Sequence, residues 1–183
     1  HLQVAGPAQM HLATSSRALA PGAVTFVLPD RVHYHEHPAT SRYYVLSFGL
    51  RFLRGDLDAG PLELEDVPLR RAPELAPFQL QDAMDFELDA GELAVAVDLC
   101  ESMLRENTAR GFYSLEMIRS HLLALIGLVC RKYADRFDQG MSDRQKHLSR
   151  NAAVLRVVKF LRENYMRKIM LEEVAAAVCL SPN

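Results

Sequence analysis

The sequence predicts an α+β chain, strands first and helices after, on three observations. Short apolar segments separated by Pro/Gly turns fill residues 1–86. From Asp89 onward, apolar residues recur at helical spacing. Near the carboxyl end, a short Ala-rich helical segment is followed at once by a new helix start. A chain of 183 residues, 49% hydrophobic, has enough apolar material for a sizeable core.

The strand region reads in order. Gln9 to Leu12 and Val24 to Leu28 are compact apolar segments, with Ala20-Pro21-Gly22 and Pro29-Asp30 as turn signals. Arg42 to Phe52 is rich in aromatic and β-branched residues, as expected of a buried strand. Pro61 to Pro77 is Pro- and acid-rich without clean periodicity and reads as loop with one strand at most. Strands at this spacing predict a small barrel or sandwich.

In the helical region, Asp89 and Glu92 form a capping box ahead of Leu93, Val97, Cys100 and Leu104. Asn107 to Gly111 breaks that helix. A second helix is predicted from Ser114, as N-cap, to about Phe137. It carries one apolar row at Leu115, Ile118, Leu122, Leu125, Val129 and Tyr133, and another at Leu123, Ile126 and Cys130. Either one row faces the barrel and the other a partner chain, or both are buried within one monomer; periodicity does not separate these. Asp138 to Asp143 is polar and Gly-containing, and a linker is placed at 139–150. A third helix is predicted from about Asn151 to Tyr165, and Leu171 to Val178 is a short amphipathic helix. Ser181 as N-cap and Pro182 at the first helical position then restart the chain, giving the sequence form of a helix-turn-helix.

Charge and cysteine usage narrow the class. The net charge is −2, with acidic excess before residue 141 and basic excess after it, so the basic end is the helical tail. Three widely spaced cysteines in apolar periodic segments suit buried thiols in a reducing cytoplasm. No apolar run is long enough for a membrane span, no secretory signal is visible, and no Gly-rich phosphate loop occurs. The serines fit caps or linker, and the cysteines lie on apolar helix faces, so no nucleophilic enzyme is expected.

Val154 to Tyr165 (VLRVVKFLRENY) and Ile169 to Asn183 (IMLEEVAAAVCLSPN) resemble the first helix and first helix-turn-helix of AraC-type transcription regulators. The Asn-Tyr pair, the Leu-Glu-Glu-Val-Ala run and the Leu-Ser-Pro turn carry the match. Leu19 to His33 resembles the cupin barrel segment of the same family, where a Pro-Gly turn leads into a Pro-x-x-x-His corner. The resemblance implies a cupin-like effector-binding barrel (1–86, its first strands absent), a helical dimerisation unit (87–138), the linker, and the start of a DNA-binding domain (151–183). It implies further that a small-molecule effector enters the barrel, that the protein is a cytoplasmic homodimer, and that the intact protein binds double-stranded promoter DNA. Ser181, Pro182 and Asn183 would open the recognition helix, with the base-reading residues beyond them. The stretch given is therefore expected to bind DNA weakly or not at all.

His33, His35 and His37 alternate, which on a strand places them on one face. Imidazoles are common metal ligands, and the alternative reading is a cupin metalloenzyme with a helical appendage. The enzymatic cupin pattern needs a Glu some four residues after its His-x-His; here Ala39 and Thr40 follow, so no metal and no other cofactor is expected. As effector contacts the reading names His33 first, then His35, Arg42, Tyr44 and Arg17, the arginines as donors for a polar or anionic ligand. For the dimer face it names Ile118, Leu122, Leu125 and Val129.

Overall fold

The computed structural model describes residues 1–12, 15–61, 63–137, 157–158 and 160–177. The linker at 139–150 and Ser181, Pro182 and Asn183 lie outside the described residues. The chain forms two compact units, residues 1–134 and 135–183. The expected division at residue 86 thus falls inside one unit.

In that unit seven strands build two antiparallel sheets. They are β1 (Leu2–Ala5), β2 (Ala8–Leu12), β3 (Ser15–Leu19), β4 (Ala23–Val24), β5 (His33–Glu36), β6 (Arg42–Tyr44) and β7 (Phe86–Glu87). One sheet has the order β6-β1-β4-β7 and the other β3-β2-β5. Both sheets are open, and no closed barrel occurs among the described residues; of the expected fold, the coarser α+β arrangement is what the structure shows.

Two glycine and glutamine devices fix the first sheet. Gly22 sits at φ 97°, and a Cβ there would lie 2.4 Å from the Leu88 carbonyl oxygen, so no other residue fits. Its N–H donates to Gln3 O (2.8 Å) and its carbonyl accepts from Leu88 N (2.9 Å), tying β1, β4 and β7 together. Gln3 is fully buried, and its amide donates to Ala5 O (3.0 Å) and Gly6 O (2.9 Å) where the β1–β6 register shifts.

Two predicted strands are shorter than their apolar runs. Of Val24 to Leu28 only Val24 lies in a ladder, though residues 25–28 remain mostly buried. Of Arg42 to Phe52, residues 42–44 form β6, 45–49 are irregular, and Leu50–Leu53 is the short helix α1. Composition alone gave a strand throughout; the absence of a ladder partner beyond Tyr44 limits it.

Helices cover one side of the unit. Pro77 stands in the first turn of α2 (Ala76–Leu80), a position that tolerates it, at the end of the Pro- and acid-rich segment expected as loop. The helix α3 (Ala90–Ala109) begins with the expected capping box: Asp89 accepts from Glu92 N (2.9 Å) and Glu92 accepts from Asp89 N (2.9 Å). A turn with left-handed Arg110 and Tyr113 leads into α4 (Ser114–Lys132). Ser114 is not the cap but the first helical residue, and its hydroxyl donates to Glu106 Oε2 (2.7 Å). Packed as a hairpin with α3, α4 also touches α1, α2 and the 73–75 turn.

The second unit is described over fewer residues. Residues 160–164 are helical, and a turn leads to the helix Leu171–Ala177. Glu173 accepts from Met170 N (2.9 Å), which caps that helix, and from Arg167 Nη1 (3.0 Å). The Arg167 bond, first, holds its carboxyl below the usual range.

Candidate functional site

Between the first sheet, the irregular 45–49 segment and α4 lies a cavity of about 440 Å³, a small-molecule size. Most of its wall is apolar: Phe26, Leu28, Leu46, Phe48, Leu53 and Phe78 among others, with Leu122, Leu125 and Ile126 from α4. Its polar lining is short: His1, Thr25, Asp30, Arg31, His33, His35 and Ser47.

Local structure explains why the polar residues gather there. Asp30 takes φ 63° directly after Pro29, a left-handed step that Asp tolerates, and the chain turns into β5. Along β5, His35 stands opposite the fully buried Met10 and His33 opposite Leu12, so both rings share one face. His35 stacks on His1 (4.4 Å between ring centres) and on His37 (5.8 Å); His33 meets His35 edge-on at 5.9 Å, and His37 stacks on Tyr43 at 3.6 Å. Thr25 Oγ1 lies 3.3 Å from His35 Nε2, joining the two sheets at the cavity wall. Burial, first, and then the neighbouring positive groups lower the His35 pKa to about 4, so its ring is neutral near neutral pH.

The expected alternation of histidines therefore brings His33, His35 and His37 together. Rings in stacked contact present faces to one another, whereas a shared ion needs converging nitrogens. Among the described residues no group of three or more His, Cys, Asp or Glu side chains is placed to hold a metal ion.

The other expected effector residues stand elsewhere. Arg17 is a structural clamp: its guanidinium donates to Gln81 O (2.8 Å), Asp82 O (2.7 Å) and Asp85 Oδ1 (2.7 Å), holding the turn after α2. Arg42 is exposed on the edge strand β6, opposite Ala5, and does not line the cavity. Tyr44 lines a second cavity, of about 400 Å³, with Phe52, Cys100, Met103, Leu115 and Ile118. There its hydroxyl donates to Glu101 Oε1 (3.4 Å); burial, then Glu101, raises its pKa. Residues 45–48 and Leu122 line both cavities, so this segment is a shared wall.

The residues expected at a dimer face lie mostly inside their own unit. Leu122, Leu125 and Val129 are buried inside their own unit, and Ile118 is half-buried against the second cavity. Side chains already packed inside cannot meet a partner without opening the core. On α4 the exposed large apolar residues are Leu115, Met117 and Leu123, and Phe112 and Tyr113 in the preceding turn are exposed as well.

Sequence reasoning found His33 and His35 but missed the apolar wall and Thr25. The signal available was the run Val45 to Phe48, with three apolar residues and only Ser47 polar. Burial, first, pushes the Cys100 and Cys130 thiols up to about 11. No helix of the described residues is long and apolar enough to cross a membrane. No family model, curated protein or solved structure matches this chain.

Proposed function

We propose that this chain is the effector-sensing, dimerising portion of a DNA-binding transcription regulator of AraC type, its strand region a cupin-like sensor. A small molecule in the 440 Å³ cavity is read out through α4. One observation carries this reading: α4 lines the cavity with Leu122, Leu125 and Ile126 and presents Leu115, Met117 and Leu123 to the outside. A ligand that changes the seating of α4 changes the surface a second copy meets, provided it binds one arrangement better than the other.

The DNA-binding part of the proposal rests on the resemblance of 154–165 and 169–183 to the family's first helix and helix-turn-helix. The short helix Leu171–Ala177, capped by Glu173, suits the first helix of such a pair. In this reading the protein works in the cytoplasm as a homodimer on paired DNA half-sites and catalyses no reaction. The test is whether a molecule that fills the cavity shifts the monomer–dimer equilibrium of the chain.

A further inference from the structure

The chemistry of the cavity goes further than its size. An anionic ligand, the kind the sequence suggested through its arginines, would need a free cation in the wall. Among the described residues Arg31 is the one arginine that lines the cavity, and its charge is already met. Its guanidinium donates to Glu65 Oε1 (2.5 Å) and lies 3.3 Å from Asp82 Oδ2. Two carboxylates thus stand against one guanidinium, and Asp30 adds a further acidic side chain to the cavity lining. A carboxylate entering there gives up water and meets like charge.

The other polar groups set the rest of the specificity. His33 Nδ1 lies 2.8 Å from the Arg31 carbonyl oxygen. A carbonyl only accepts, so Nδ1 carries the hydrogen and is committed to the backbone, which leaves the Nε2 edge of the ring to meet a ligand hydroxyl, itself both donor and acceptor. Deeper in, the buried Thr25 hydroxyl can donate or accept. A cationic head is disfavoured among the buried lining side chains Phe26, Leu53, Leu122, Leu125 and Ile126, which offer it no carboxylate.

From this wall we infer that the cavity takes a neutral, mainly apolar molecule bearing a hydroxyl group, and discriminates against carboxylates and amines of the same shape. The inference rests on the sensing reading and names the ligand class for that site.

A matched series tests it: 1-decanol, decanoate and decylamine, titrated calorimetrically into the chain at pH 7.5. Leu50→Trp, and separately His33→Trp at an exposed lining position, fill the cavity and locate the binding; two variants guard against one failing to fold. The expected result is decanol binding about ten-fold or more tighter than either charged analogue, with loss of binding in the filled variants. If decanoate or decylamine binds as tightly as decanol, and the filled variants lose it, the ligand class is overturned while the sensing site stands. If none of the three binds, or filling the cavity changes nothing, the inference is overturned as well. Failure of the sensing reading looks different: decanol binds with the expected preference, yet dimer affinity does not move.

Discussion

The Tyr133 hydroxyl serves both backbone groups of Glu87: it accepts from Glu87 N at 2.8 Å and donates to Glu87 O at 3.1 Å. Glu87 lies in β7 at the edge of the first sheet, and Tyr133 closes the carboxyl end of α4. One phenol therefore anchors the helix that lines the cavity to the sheet opposite. Removing it leaves a partly buried donor and acceptor without this partner. Tyr133→Phe is expected to cost about 1–3 kcal/mol of stability, measured by urea unfolding. A variant as stable as the parent would show that the anchor is dispensable.

The two faces of α4 separate in mutation. Leu122 is 3% exposed, and a charge there is buried, so Leu122→Glu is expected to destabilise the unit by more than about 3 kcal/mol. Leu115 is 65% exposed, and Leu115→Glu is expected to change stability by less than about 0.5 kcal/mol while weakening self-association. Sedimentation velocity with parallel thermal melts checks both. A folded, monomeric Leu122→Glu protein would return the dimer face to the buried row.

How legible these features are depends on the range of the interactions behind them. The capping box of Asp89 and Glu92 involves residues three apart, and the sequence carries it whole. The alternation of His33, His35 and His37 likewise survives folding because strand geometry is local. Arg17 is the opposite case. Its carbonyl partners lie more than sixty residues away, so nothing near it marks it as a clamp and not a ligand donor. Strand ends at Val24 and Tyr44 depend on which neighbour offers a ladder, which composition does not record. Two apolar rows on α4 are visible in the sequence, but which residues of each are covered is set by the whole unit: Leu122, Leu125 and Val129 of one row and Ile126 of the other are buried.

His33 and Arg17 give a paired test of that distinction. His33→Ala removes one polar ligand contact and is expected to weaken decanol binding about 2- to 10-fold by calorimetry, with little change in melting temperature. Arg17→Met is expected to do the reverse, lowering the melting temperature while leaving affinity within about two-fold. Exchange of these two outcomes would restore Arg17 as the ligand residue.

His35 makes stability depend on pH in a definite direction. Its pKa falls from 6.5 to about 4 on folding, burial being the largest cause. Below 6.5 the unfolded chain takes up a proton that the folded ring refuses. Stability is therefore full above that pH, declines as pH falls toward 4, and levels below it. In urea melts across this range, His35→Asn is expected to have a flatter profile than the parent. A steeper or unchanged slope would place the proton uptake elsewhere.

The central claim is that the cavity and the outer face of α4 are linked, and the dimer dissociation constant measures that link directly. Sedimentation equilibrium, with and without saturating decanol, is expected to show a change of about five-fold or more, absent in Leu50→Trp. An unchanged constant in the presence of bound decanol, or a chain that stays monomeric throughout, would contradict the account.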